Sequence, residues 1–113
     1  MPIYDLNATA ASINVAEDVR GALTPVNVNV TNTSTIVLAA NSARATAAIY
    51  NAGATTAFLR EGTSPATTTV YNYPLPPGRL WEPDPNIRYL GAISAVTATG
   101  STDLKVSESL IVI

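Results

Sequence analysis

The chain has 113 residues, a formal net charge of −2, only 12% charged residues, and neither His nor Cys. This length predicts one domain with one core. The lack of Cys excludes disulfides and thiolate metal sites, and the lack of His removes the usual general base near neutral pH. The six scattered basic residues do not form the cluster that nucleic acid requires, and no apolar stretch approaches a transmembrane helix.

The composition also predicts a thin core. Hydrophobic residues make up 47% of the chain, but many are Ala and aromatic residues are only 6%. Because small side chains bury little apolar surface, we expect association with other subunits to supply part of the stability.

Residues 1–34 differ from the rest and are predicted to form an N-terminal arm, or loosely attached segment, that ends in a strand. Helix, strand and disorder are all compatible with the composition of this segment. A helix would be short and weak, with Ser12 as its possible cap, Gly21 interrupting it and Pro25 ending it. The apolar residues at helical spacing are Ile13, Ala16, Val19 and Leu23. After them Val, Asn and Val alternate over 26–30, which is the period-two pattern of a strand.

Residues 35–113 are predicted to form a β-sandwich body. Apolar runs and alternation predict strands at 36–39, 45–49, 57–60, 67–73, 80–82, 91–97 and 104–107. The turn at 51–54 predicts that the second and third of these strands form a hairpin. The run 91–97 is apolar on both faces and is predicted to be a central strand. The fold class is therefore all-β, a small antiparallel β-sandwich or jelly roll.

The chain ends in four consecutive apolar residues, Leu110, Ile111, Val112 and Ile113. Such a tail would promote aggregation if it were left in water. We expect it to be buried, either as a last core strand or against another subunit.

No catalytic, cofactor-binding or metal-binding residue is predicted. Ser and Thr are frequent, but no imidazole is available to activate them. Lys105 lies between apolar residues on an alternating strand and is expected to point into solvent. Glu82 and Asp84 are close in sequence but do not supply the six or more oxygens of a hard-cation site. The sequence thus favours a protein that is not an enzyme.

Aromatic side chains are the clearest candidates for binding. Tyr71 and Tyr73 are expected to share one face of a strand, and Trp81 follows after a proline turn. They could cap the ends of a small core, contact another subunit, or stack on a sugar. The candidate interface consists of Tyr71, Tyr73 and Trp81 together with the apolar tail.

One ordered set of motifs resembles a known protein family. The chain reads Arg44-Ala-Thr-Ala-Ala-Ile-Tyr-Asn-Ala-Gly, Ala57-Phe-Leu-Arg-Glu-Gly, Leu75-Pro-Pro-Gly, Tyr89-Leu-Gly-Ala-Ile-Ser-Ala-Val and Gly100-Ser-Thr-Asp-Leu-Lys-Val-Ser-Glu. Over residues 44–108 this order resembles small virion proteins of tailed bacteriophages, of the head decoration or capsid cement type. The matched positions are expected to determine the fold, and they are Arg44, Asn51, Gly53, Gly78, Tyr89, Gly91 and Glu108.

The resemblance implies a function and partners. It implies a protein on the capsid exterior, often a homotrimer, that binds the major capsid protein and clamps neighbouring capsid subunits together. It implies no cofactor, and no nucleic acid or membrane partner is expected. A fibre or neck component of the virion, or a carbohydrate-binding β-sandwich module, remains the alternative.

Overall fold

The computed structural model describes residues 19–84 and 86–112, and all regular structure in them is β. The strands are β1 Val19–Arg20, β2 Thr24–Val30, β3 Thr35–Leu38, β4 Arg44–Asn51, β5 Ala57–Glu61, β6 Tyr73–Leu75, β7 Leu80–Trp81, β8 Ile93–Thr97 and β9 Thr102–Val112. Within these described ranges no helix is long and apolar enough to span a membrane. The predicted all-β sandwich is confirmed.

The strands form two antiparallel sheets. One has the order β2-β9-β4-β7, with β1 paired to the end of β9, and the other has the order β3-β8-β5-β6. In the second sheet β8 lies between β3 and β5, and all five of its residues are buried. The predicted central strand at 91–97 is therefore confirmed for its residues Ile93–Thr97.

The core between the sheets is built from small and medium apolar side chains. They are Val30, Val37, Leu38, Ala47, Ile49, Ala57, Leu59, Leu75, Trp81, Ile93, Ala95, Leu104 and Val106. Trp81 is its largest member, and no Phe belongs to it. This composition agrees with the thin core predicted from the sequence.

Of the alternatives for the N-terminal segment, the helix is wrong where the structure describes it. Val19 and Arg20 form β1, residues 21–23 are irregular, and 12–18 lie outside the described residues. The Gly21 N–H donates to the Leu110 carbonyl at 2.8 Å, so this segment finds its backbone partners on β9. A sequence with a weak helix propensity yields to such a ladder.

The predicted hairpin of 45–49 and 57–60 is also wrong, because β4 and β5 belong to different sheets. The turn at 51–54 carries the chain from one sheet to the other. The Asn51 side chain holds this crossing: its amide donates to the Thr55 and Leu75 carbonyls, both at 2.8 Å. Gly53 N–H donates to Asn51 Oδ1 at 3.0 Å.

The predicted strand at 67–73 is wrong except for its last residue, which begins β6. The Thr67 hydroxyl accepts from the Val70 N–H at 2.8 Å, and the Thr67 N–H donates to the Val70 carbonyl at 3.0 Å. These local bonds close a turn that competes with a ladder. Pro74 is tolerated inside β6 because β6 is an edge strand.

The two termini of the described chain meet on β9. The predicted strand at 26–30 is confirmed as part of β2, which pairs with β9 from Thr24↔Glu108 to Val30↔Thr102. β9 continues past β2 to Val112 and pairs there with β1. Residues 1–18 lie outside the described residues, and the division into arm and body stays a prediction.

Candidate interaction surfaces

Arg44 lies at the centre of a buried polar cluster at one end of the sandwich. Its side chain is 1% exposed, and its Nε donates to Glu108 Oε2 at 2.7 Å. Its Nη1 donates to the Tyr89 and Gly91 carbonyls at 2.8 and 3.0 Å, and its Nη2 donates to the Ala39 carbonyl. A guanidinium offers this fan of donors in fixed geometry, so it ties β4, β9 and two loops together.

Asn51 organises the opposite end of the sandwich in the same way. The residue is fully buried, and besides the bonds that hold the sheet crossing it accepts from the Thr102 hydroxyl at 2.6 Å. Gly78 N–H donates to its backbone carbonyl at 2.8 Å. Gly53 must be glycine here, because an added Cβ would lie 2.8 Å from Asp103 N.

All seven positions matched by the family resemblance therefore lie in or beside one of these two clusters. Six of them belong to the bonds just described, and the seventh, Gly53, is a bonded neighbour of Asn51. Their side chains or backbone groups make hydrogen bonds within the chain. These positions therefore determine the fold, and a surface that contacts a partner would consist of other residues.

The aromatic residues predicted as an interface do not form one surface. Tyr73 on β6 contacts Trp81 on β7, with ring centroids 6.1 Å apart and an interplanar angle of 47°. Tyr71 instead contacts Phe58, with centroids 4.8 Å apart. Since 67–72 is not a strand, the shared face expected for the two tyrosines does not exist.

Tyr73 and Trp81 close one open edge of the sandwich, where β6 and β7 are the edge strands of the two sheets. Trp81 is only 9% exposed and belongs to the core, whereas Tyr73 is 40% exposed. The interpretation that Trp81 caps a small core fits this placement. A flat stacking platform made of both rings does not.

An open cleft of about 360 Å³ lies beside this aromatic pair. Its walls carry the aromatic side chains Tyr73, Trp81 and Tyr89, and its polar side chains are Glu61, Glu82, Asp84 and Arg88. Burial, and then the charge of Glu61, raise the pKa of Tyr73, whose hydroxyl donates to Glu61 Oε2 at 3.3 Å. The described residues contain no group of three or more acidic side chains placed to hold a metal ion.

Among the described candidate interface residues, the most exposed side chains belong to the C-terminal apolar tail. Thr102, Leu104 and Val106 of β9 are buried at alternate positions, and this pattern ends there, because the next buried residue is Ser109. Arg44, the β4 partner of Leu110, is also buried. Leu110 is nevertheless 43% exposed and Val112 54% exposed. Ile111 is partly buried, and Ile113 lies outside the described residues.

The reason for this exposure is that the two sheets differ in length. Leu38 and Ala39, at the end of β3, line a groove with Val106 and Glu108 of β9. Beyond Glu108, β9 continues to Val112 while Arg44 closes the space between the sheets. We name the exposed surface formed by Leu110 and Val112 at this end of β9 the apolar end.

Sequence reasoning missed the edge formed by β2. Val26 points towards the inner face and is paired with the buried Val106, yet it is 55% exposed. The alternation of Val and Asn predicted the strand, but nothing in it showed that β2 would be the last strand of its sheet. The low charge of 20–30, where Arg20 is the only ionic residue, was the available signal.

The resemblance to capsid decoration proteins thus rests on the motifs of residues 44–108 and on no other relationship. Comparison of the chain with protein families, with curated proteins and with solved structures found no match.

Proposed function

We propose that the chain is a non-enzymatic capsid decoration protein of a tailed bacteriophage, which binds the outer capsid surface and clamps neighbouring major capsid subunits. The observation that carries the proposal is the apolar end, where Leu110 and Val112 of β9 are 43% and 54% exposed. Apolar side chains that cluster at a surface mark protein contacts more often than isolated ones do. The step from adhesion to the capsid comes from the family resemblance.

The two polar clusters support a mechanical role. A clamp transmits force only if its body keeps its shape, and fully bonded buried polar networks hold a unique arrangement. Arg44 joins one end of the sandwich and Asn51 joins the other. A rigid body with an apolar end at one extremity would bridge two capsid subunits without unfolding under internal pressure.

Copy number supplies the strength of the attachment. A single contact through a few apolar side chains is weak, but many copies around a shell, or several subunits in one oligomer, add avidity. The homotrimer implied by the resemblance is one such oligomer. The function therefore requires a protein partner and a virion location, and it requires no cofactor.

Binding to shells of the parent virus that lack this protein tests the proposal. We expect the purified chain to cosediment with them and to raise the temperature at which they rupture. Leu110→Lys should weaken binding by about tenfold or more, because a charge would be desolvated in the contact. Leu80→Lys is the matched control, since Leu80 is also an exposed leucine, 54% against 43% for Leu110, but lies on the edge strand β7.

Four results would change the conclusion. No binding of the unmodified chain to shells would refute capsid decoration. Equal binding by Leu110→Lys would exclude the apolar end, and loss only with Leu80→Lys would move the contact to the edge of Tyr73 and Trp81. Binding to isolated fibres or necks instead of shells would support the alternative virion location.

A carbohydrate-binding module is the second candidate, and the cleft beside Tyr73 favours it. Aromatic walls and carboxylate ends are the groups that contact the faces and hydroxyls of sugars. A glycan array probes this function, and Tyr73→Ala is the suitable variant because Tyr73 is partly exposed. Trp81→Ala is unsuitable, since loss of a core side chain would lower binding through unfolding.

A further inference from the structure

β2 is a long edge strand whose outer side is unpaired in the part of the chain that the structure describes. The Ala52 N–H donates to the Asp103 carbonyl, so the backbone groups of odd-numbered β9 residues point towards β4. Those of Leu104 and Val106 therefore point towards their β2 partners, Val28 and Val26. By alternation, the backbone N–H and C=O groups of Asn27 and Asn29 point away from the sheet.

The other three sheet edges are poorer templates for strand pairing. β7 has two residues, β6 has three including Pro74, and β3 has four with a register shift after Ile36. β2 has seven residues and no charged side chain. Edge strands are normally protected by charges, by brevity or by proline, and here Pro25 is the only such protection.

An exposed apolar side chain lies along the same edge. Val26 is 55% exposed although it faces inward, and it lines a groove with the buried Val37 and Leu38 of β3. Adding a strand beside β2 would cover Val26 on the side that β9 leaves open. The edge thus offers backbone hydrogen bonds and apolar contact together.

We propose that the β2 edge binds a second copy of this chain by antiparallel pairing of β2 with β2, in a register centred on Asn27. In this register Asn27 exchanges both backbone hydrogen bonds with Asn27 of the partner subunit. Asn29 N–H donates to the carbonyl of the partner subunit's Pro25. Val26 packs beside the partner subunit's Val28, which is the arrangement that covers the exposed valine of the strand.

The absence of charge on β2 allows the strand to pair with its own copy. An uncharged strand meets its own copy without like-charge repulsion. Lys105 lies opposite Asn27 within the sheet, and its copy in the other subunit would lie three strand spacings, about 14 Å, away. Such a separation exceeds the screening length at physiological ionic strength.

The size of the edge sets the expected affinity. A strand of this length spans about 24 Å, and with sheets about 10 Å apart the contact covers on the order of 240 Å² per subunit. Stable interfaces bury about 800 Å² per partner. We therefore expect a concentration-dependent dimer, and an isologous contact of this type closes at two copies, not at the three that the resemblance implies.

Single-cysteine variants test the register directly, because the chain contains no Cys. Asn27→Cys should form a disulfide-linked dimer under mild oxidation, since Cα atoms of a hydrogen-bonded antiparallel pair are about 5.5 Å apart. Lys105→Cys is the matched control on the same outer face, one strand inward, and should remain monomeric. The intersubunit Cα distance expected there is too long for a disulfide.

Sedimentation velocity of the unmodified chain measures the association itself. The mass should rise with concentration from 11.7 kDa towards twice that value, and Val26→Lys should weaken dimerisation by about tenfold or more. Equal crosslinking of Asn27→Cys and Lys105→Cys would overturn the proposal. So would a chain that is monomeric at all concentrations, a trimer insensitive to Val26→Lys, or a chain that dimerises only after removal of 1–18.

The inference extends the proposed function, and the two fail independently. Shell binding depends on the apolar end, which Val26→Lys leaves unchanged. A Val26→Lys monomer that still binds shells would separate pairing from decoration. A chain that dimerises through β2 but ignores shells would refute only the capsid function.

Discussion

Replacing Arg44 with Met is expected to lower the free energy of unfolding by about 3 kcal/mol. The guanidinium is 1% exposed and bonds Glu108 at 2.7 Å and the Tyr89 carbonyl at 2.8 Å. Removal of one partner from a buried ion pair costs about 3–5 kcal/mol, because the other charge is left without compensation. Glu108 is 27% exposed and can recover some hydration, so the lower end of this range applies.

The loss should be a large fraction of the total, because domains of this size are stable by about 5–15 kcal/mol. Met keeps most of the apolar volume of the Arg stem, so the change removes mainly charge and hydrogen bonds. The Tyr89 and Gly91 carbonyls would lose their donors as well. Salt should change the effect little, since buried charges are weakly screened.

Denaturant unfolding followed by fluorescence measures this change. Trp81 is the only Trp in the chain and is buried, so its emission reports loss of the core. Arg79→Met makes the same chemical change at an exposed site and should alter stability by no more than about 0.5 kcal/mol. A loss below about 1 kcal/mol for Arg44→Met, with an unchanged denaturant slope, would refute the assigned role of the cluster.

Two further predictions concern Gly53 and Tyr73. Gly53→Ala should cost about 1–3 kcal/mol or more in the same assay, because its Cβ would lie 2.8 Å from Asp103 N and 2.9 Å from the Cα of Thr102, which are backbone atoms; an unchanged midpoint would contradict this. Because the pKa of Tyr73 is raised in the folded chain, the unfolded chain loses the Tyr73 hydroxyl proton at a lower pH. The free energy of unfolding should therefore fall as pH rises above about 10, and it should fall less steeply in Tyr73→Phe. Glu61→Gln should lower the pKa of Tyr73, seen in the tyrosinate absorbance after subtraction of the Tyr73→Phe spectrum, and an unchanged titration would exclude an effect of the Glu61 charge.

The strands with clear periodicity could be predicted from the sequence. Alternation of Val and Asn marked β2, and an uninterrupted apolar run marked the central strand β8. Such patterns arise because apolar side chains occupy the buried face of a strand and polar side chains its exposed face. A strand that is buried on both faces is apolar throughout. The alternation at Leu104 and Val106 likewise identified the first half of β9.

Connections between strands could not be predicted in the same way. A turn at 51–54 is compatible with a hairpin and with a crossing between sheets, and only the buried amide of Asn51, bonded to Leu75 far along the chain, decides for the crossing. At 67–73 β-favouring residues formed a turn because the Thr67 hydroxyl bonds the backbone locally. Both outcomes depend on contacts that residue type alone does not specify.

For the candidate surfaces, too, local patterns could be predicted and the arrangement of strands could not. The sequence identified the apolar tail as a surface in need of cover, and the structure leaves Leu110 and Val112 exposed. It grouped Tyr71 with Tyr73 on the assumption of a strand, and the loop separates them. The position of β2 at an edge follows from strand order, which local patterns do not contain.

The Arg44 cluster also explains why the apolar end belongs to the surface and is not an unfinished part of the core. Arg44 stands opposite Leu110 in the β4–β9 register, and its guanidinium turns inward to meet Glu108. A bonded ion pair at this level ends the apolar interior, because side chains beyond it have no facing sheet to pack against. Within the described part of the chain, Leu110 and Val112, at and beyond this closure, stay exposed. The buried fold determinants and the exposed apolar end are therefore two consequences of one strand, β9, being longer than the sheet that covers it.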